Sequence, residues 1–282
     1  MGHAYLLTHH DDKALIALRT SLQLDESDAR LNSIAYLLAE SKSNLDLAEA
    51  WSQQSIATVE NELNDSTLIT VGARTWPFVV RLGAYWDTLG WIKFQQGKTE
   101  EAEKYVFAGW QLSEDLTMAL HLGQIYESQG HGDQAVQIYL AGLASVPPGR
   151  KVSEDAQETR KRLADLLGGD SLVDERLQQY RKTPSTFRTA SVPNPDGIQG
   201  IAQFTVIIGE NSKLLDFAPT IPDDHLASLN DAIRKLSVPQ SFPDKSMQKL
   251  PRLATLACAA ADQPCVFTLL PSGTVSRIAS AD

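Results

Sequence analysis

The sequence predicts a mostly α-helical protein. An α-solenoid of stacked helical hairpins spans 1–181, a linker spans 182–200, and a small α+β domain of β-β-α-β-β order spans 201–282. Three observations predict it. The pattern of "WDTLGWIKFQQGKTEEAEKYVFAGWQL", Trp86 to Leu112, recurs 33 positions later in "LHLGQIYESQGHGDQAVQIYLAGLASV". Self-similarity at such a period marks a repeat architecture, in which each unit buries its apolar face on the next. The composition then changes between Lys182 and Gly200, with three prolines and two glycines. Beyond it, short β-rich runs replace the helical periodicity.

Taken in chain order, "MGHAYLLTHHDDKALIALRTSLQLDES" places Gly2, Tyr5 and Ala14 in the repeat register, so Met1 falls near the middle of a first helix. A half helix leaves the next unit's core face bare. The expectation is therefore that the chain is the C-terminal part of a longer protein or that its true start lies upstream, the alternative being a short natural cap. A weaker copy follows at 29–56, with Asn32, Ala35, Tyr36 and Ala48 at comparable positions and a second helix running to about Leu63. The segment from Asn64 to Pro77 interrupts the period as a loop or insertion.

The two clear copies occupy 83–115 and 116–149. Leu89-Gly90 matches Leu122-Gly123, Gly97 matches Gly130, and Ala102 matches Ala135. Gly90 and Gly123 let the second helix approach closely, and Gly97 and Gly130 sit where the chain turns. Trp86, Tyr105 and Tyr139 fill the wider gaps. "SEDAQETRKRLADLLGG" is a polar capping helix, with Ser153 as N-cap, acids in its first turn and Gly168-Gly169 at its end. A short helix at about 171–181 completes the cap. In the last domain, "AQFTVIIG" and "KLLDFAPTI" read as strands and 223–238 reads as a helix, with Leu226, Leu229, Ile233 and Leu236 on one face. "LATLACAA" and "CVFTLLP" read as a closing hairpin.

Trp86, Leu89, Gly90, Gly97, Ala102 and Tyr105, repeated as Leu122, Gly123, Tyr126, Gly130, Ala135, Tyr139 and Pro147, resemble the tetratricopeptide repeat. Gly109 and Gly142 depart from it, standing where the family usually has Ala. The resemblance implies that the first helix of each repeat lines a concave surface. By register, Asp87, Trp91, Phe94 and Gln95 face inward from one repeat, and Leu120, Gln124 and Glu127 from the next. It implies a groove for an extended peptide or a partner helix, although Trp91 and Phe94 can equally pack between repeats. Arg188-Thr189, "AQFTVIIG", "SFPD", "KLPRLATLAC" and "CVFTLLP" resemble a tail of large bacterial extracytoplasmic proteins, especially acidobacterial ones. Those proteins carry a transglutaminase-like domain upstream of tetratricopeptide repeats. The β-β-α-β order also resembles the C-terminal domain of TonB-type energy transducers. Neither resemblance brings a catalytic residue with it.

Composition narrows the function. With 25 Lys and Arg against 35 Asp and Glu, the net charge is −10, which repels the phosphates of nucleic acids and anionic membranes. No run of 18 apolar residues exists to span a bilayer. No strand–turn–helix nucleophile motif is present, and the "GKT" at 97–99 is accounted for by its place in the repeat. "HHDD", His9 to Asp12, lies at an inter-helix turn, where polar residues are expected without a metal. Cys258 and Cys265 are the two cysteines. They are either a redox or metal-binding pair or a disulfide tying a hairpin, and the disulfide is the reading adopted. Such a bond persists in an oxidising compartment, so the expectation is periplasmic or extracytoplasmic. The chain is read as non-catalytic, with no cofactor or metal. Its partner would be a protein or peptide. The alternatives are the arm of a larger transglutaminase-like or protease-like enzyme and a TonB-like envelope transducer module.

Overall fold

The computed structural model describes residues 1–147, 151–182, 187–221 and 224–274. Residues 183–186 of the expected linker and the end of the last domain, 275–282, lie outside the described residues.

Ten helices form five antiparallel hairpins: α1 Gly2–Leu7 with α2 Asp11–Leu24, α3 Asp28–Glu40 with α4 Leu45–Asn64, α5 Trp76–Gln95 with α6 Thr99–Ser113, α7 Leu116–Ser128 with α8 Gly132–Ser145, and α9 Glu154–Leu167 with α10 Asp170–Lys182. This is a tetratricopeptide-like helical stack. The glycines of the repeat do what their spacing predicts. Gly97 and Gly130 turn the chain at φ +80° and +77°. A Cβ on Gly90 would lie 2.5 Å from Val106 Cγ2, and one on Gly123 would lie 2.0 Å from the Tyr139 ring. Gly109 has a reason of its own, since a Cβ there would meet the Gly83 carbonyl oxygen at 2.6 Å. Here α5 and α6 cross too closely for the usual alanine.

Ser153 caps α9 by accepting from the Ala156 amide at 3.2 Å, and Gly168 ends that helix in the left-handed region at φ +85°. The long helix α5 is the centre of the stack. It packs on α3, α4, α6 and α7, and Trp86 is fully buried at its middle.

The C-terminal part is a five-stranded antiparallel sheet of order β1-β5-β4-β2-β3. Its strands are β1 Thr189–Val192, β2 Gly200–Gly209, β3 Leu214–Ile221, β4 Lys249–Cys258 and β5 Cys265–Leu269. Two expectations are revised. The expected linker supplies strand β1, which pairs with β5 from Thr189↔Thr268 to Val192↔Cys265. The helix expected over 223–238 is a 3-10 turn, Asp224–Leu229, followed by the short α11, Asn230–Ile233. Leu226, Leu229 and Ile233 still reach the sheet core, because their three- and four-residue spacing also serves a 3-10 turn. Cys258 and Cys265 are joined by a disulfide with their Cα atoms 4.3 Å apart. They stand at facing ends of the β4–β5 hairpin, next to the Ala257↔Val266 pair. Reducing this bond is expected to lower unfolding stability by about 2–3 kcal/mol in the chain-entropy account. Urea melts with and without reductant would measure it, and an unchanged midpoint would refute it.

The sheet is docked on the helices. Met247, Leu250 and Phe242 enter the core formed by Ile56, Val59, Leu63, Leu82 and Trp86. Gln111 on α6 donates to the Phe187 and Pro239 carbonyls at 3.2 and 3.0 Å and accepts from the Ser241 amide at 2.7 Å. Arg188 grips Glu114 with two nitrogens at 2.6 Å. Arg252 on β4, buried, donates to Gln240, to the Leu270 carbonyl at 2.8 Å and to the Gln111 carbonyl at 3.3 Å.

Candidate functional site

The residues expected to line an open groove are mostly packed between helices. Asp87 is buried, and both its oxygens lie against His121 Nδ1 at 3.0 and 3.1 Å. Trp91 is buried between repeats. Its ring stacks on His121 with centroids 4.1 Å apart and an interplanar angle of 11°, and Phe94 stacks on it at 5.2 Å. The Trp91 indole nitrogen donates to Glu40 Oε1 at 2.6 Å. Leu120 is buried, and Gln95, Gln124 and Phe94 are half-buried. Glu127 accepts from the Tyr139 hydroxyl and sits 3.3 Å from Arg162. The aromatic groove is thus corrected to an aromatic seam. The physical reason is the close approach of α3, α5 and α7, which lets one indole bridge the gap that the register leaves open.

A pocket of about 560 Å³ lies beside that seam, lined mainly by first helices of the repeats. Asn32 and Tyr36 come from α3, Ala84 and Asp87 from α5, Asp115 from the start of α7 and Asp155 from α9. Ser272 and Gly273, just past the sheet, close one end, and Ser272 Oγ lies 3.3 Å from Ser113 Oγ. The last turn among the described residues, Ser272–Thr274, therefore helps to shape the repeat surface. Asp115 is the N-cap of α7, and Asp155 accepts from the Thr117 hydroxyl.

Three acids, Asp87, Asp115 and Asp155, line the pocket. Burial raises the Tyr36 hydroxyl's pKa above its ordinary value, and Glu40, Asp87, Asp155 and Asp115 raise it further. Burial, the largest single influence, would lower the His121 pKa, but the charge and hydrogen bond of Asp87 together with the charges of Glu40 and Asp155 hold the imidazole above its ordinary value. Only Asp87 of the pocket acids was indicated by register, because Asp115 and Asp155 reach it from helix starts that period alone does not aim. No group of three His, Cys, Asp or Glu placed to hold a metal occurs among the described residues, and His9 to Asp12 form a helix-start turn. No helix among the described residues is long and apolar enough to cross a membrane.

No family model matches this chain, and no curated protein matches it. Among solved structures it is similar to one described as "Functional Characterization of Pseudomonas Aeruginosa pilF". That likeness has 17% identity and a TM-score of 0.28, and it covers 66% of this chain and 90% of that one. At such a score it carries no functional argument.

Proposed function

We propose that this chain is a non-catalytic protein-interaction module whose concave pocket takes an extended, positively charged segment of a partner protein. The observation that carries this reading is the charge around Tyr36. Asp87, Asp115 and Asp155 line the pocket, Glu40 adds its charge on Tyr36 from outside the lining, and no lysine or arginine is among the lining residues. A carboxylate-lined cleft attracts cationic side chains over a range set by the salt concentration. A net charge of −10 adds long-range attraction of the same sign. The disulfide supports an oxidising location, periplasmic or otherwise extracytoplasmic. The readings as an arm of a transglutaminase-like or protease-like enzyme, and as a TonB-like transducer, rest on resemblance, and no contact in the structure favours them.

Ala84 offers the test. It is exposed on α5 and lines the pocket, so Ala84→Arg fills and recharges the site without entering the core. Extended lysine-rich peptides are expected to bind the native chain and to lose at least tenfold in affinity to Ala84→Arg, with thermal stability changed by no more than about 0.5 kcal/mol. Titration calorimetry would measure both chains. Equal affinity for the two, or no preference for basic over acidic peptides, would overturn the reading.

A further inference from the structure

Glu60 lies on α4 at the boundary between the helices and the sheet, away from the concave pocket. It is 4% exposed, and its Oε1 has no hydrogen-bond partner. Its neighbours along the helix, Ile56, Val59 and Leu63, belong to the apolar core shared with Met247 and Leu250. The segment from Phe242 to Lys249 lies over it. That segment is held at two points. Asn64, one turn beyond Glu60, donates to the Ser246 carbonyl at 2.9 Å and accepts from the Gln248 and Lys249 amides at 2.7 and 3.2 Å. Tyr105 on α6 donates its hydroxyl to Asp244, which also accepts from the Ser246 amide at 2.8 Å.

The groups that act on Glu60 are Asp244 and Ser246 from this segment and the Trp86 indole from α5. Tyr105, on α6, feels the Glu60 charge in turn. None of the charges acting on Glu60 is positive, and it forms no ion pair among the described residues. An ionised Glu60 would therefore place a second anion beside Asp244 in an apolar, water-poor contact, with no positive charge to offset it.

We propose that the 242–249 segment is a pH-sensitive clamp, seated on the helices when Glu60 is protonated and loosened when Glu60 ionises. The direction follows from the two carboxyls. Burial, its largest influence, lifts Glu60 from an ordinary 4.5 to about 7, Asp244 adds to that rise, and Ser246 and Trp86 oppose it. Burial would raise Asp244 as well, but its bonds from Ser246 and Tyr105 hold it below its ordinary value. Asp244 is thus charged throughout the relevant range. The clamp is favoured most at pH below about 4.5, weakens as pH rises toward about 7, and is at its weakest above that. Opening is expected to become roughly thirtyfold easier between pH 5.5 and 8.5.

Hydrogen exchange of the Ser246, Gln248 and Lys249 amides, corrected for intrinsic rates, reads the clamp on the full chain. In the native protein, protection of these amides should fall by that factor across the range, while amides inside α7 and α8 lose far less. In Glu60→Gln the protection should be flat with pH. Asp244→Asn should move the midpoint toward lower pH, and this second variant tests the coupling even if Glu60→Gln packs poorly. PH-independent protection in the native chain, or an undiminished pH response in Glu60→Gln, would overturn the proposal.

Discussion

Arg252→Ala is expected to destabilise the protein by about 3–5 kcal/mol. The side chain is among the largest fully buried ones and no acid pairs with it directly. It holds together three elements by hydrogen bonds instead: Gln240 before β4, the Leu270 carbonyl after β5 and the Gln111 carbonyl on α6. Burial and the neighbouring Arg188 push its pKa down to about 9, and Glu114 opposes them, so the guanidinium stays charged near neutrality. Truncation would leave a cavity and three acceptors without their donor, where helices and sheet meet. Arg252→Met separates the two contributions. It fills most of the volume and loses only the bonds, so a smaller loss of about 1–3 kcal/mol is expected. Urea unfolding of the three chains, followed by Trp fluorescence, checks the order. If Arg252→Ala loses less than 1 kcal/mol, or Met loses as much as Ala, the network is not what joins the two parts.

Much of this arrangement was legible in the sequence, and the boundary of legibility is physical. Gly90, Gly97, Gly123 and Gly130 answer to contacts inside one hairpin, so their 33-residue recurrence locates them. The β2, β4 and β5 strands carry β-rich stretches, "AQFTVIIG", "LATLAC" and "CVFTL", that were visible without a partner. The strand Thr189–Val192 could not be read, because "TASV" becomes a strand only by pairing with a hairpin about 75 residues away. The choice between an open groove and a closed aromatic seam stayed undecided in the sequence for a related reason. Helical register tells which face Trp91 occupies, but not how near the next repeat stands.

Two buried polar residues did leave a signal. Arg252 stands in the alternating set Leu250, Arg252, Ala254, Leu256, Cys258, whose other members all point inward. Glu60 completes Ile56, Val59, Glu60, Leu63, the spacing of a core-facing helix stripe. In both cases a charged residue occupies a position that the pattern reserves for an apolar one. Each turns out to lie where the helices meet the sheet, a boundary that no single element's period reveals.

Asp87→Ala is expected to cost about 3–5 kcal/mol at pH 6, because it leaves His121 buried with no counter-charge. Asp87 and His121 are 34 residues apart, on the first helices of adjacent repeats, and their contact is buried. Trp91 covers the imidazole face, so the pair anchors the seam that closes the expected groove. The effect should depend on pH in a definite direction. His121 in the native chain titrates above its ordinary 6.5, so its contribution is full below that value and is lost as pH rises through the raised one. In Asp87→Ala burial is opposed only by the weaker influences of Glu40 and Asp155, so the imidazole's pKa falls. The stability gap between the two chains should therefore be widest near pH 6 and narrow toward pH 9. A double-mutant cycle with His121→Ala measures the coupling itself. A gap of the same size at both pH values would mean that Asp87 serves as a packed hydrogen-bond acceptor rather than a counter-charge. Asp87 would then carry an uncompensated charge and add to those of Asp115 and Asp155 in the neighbouring pocket.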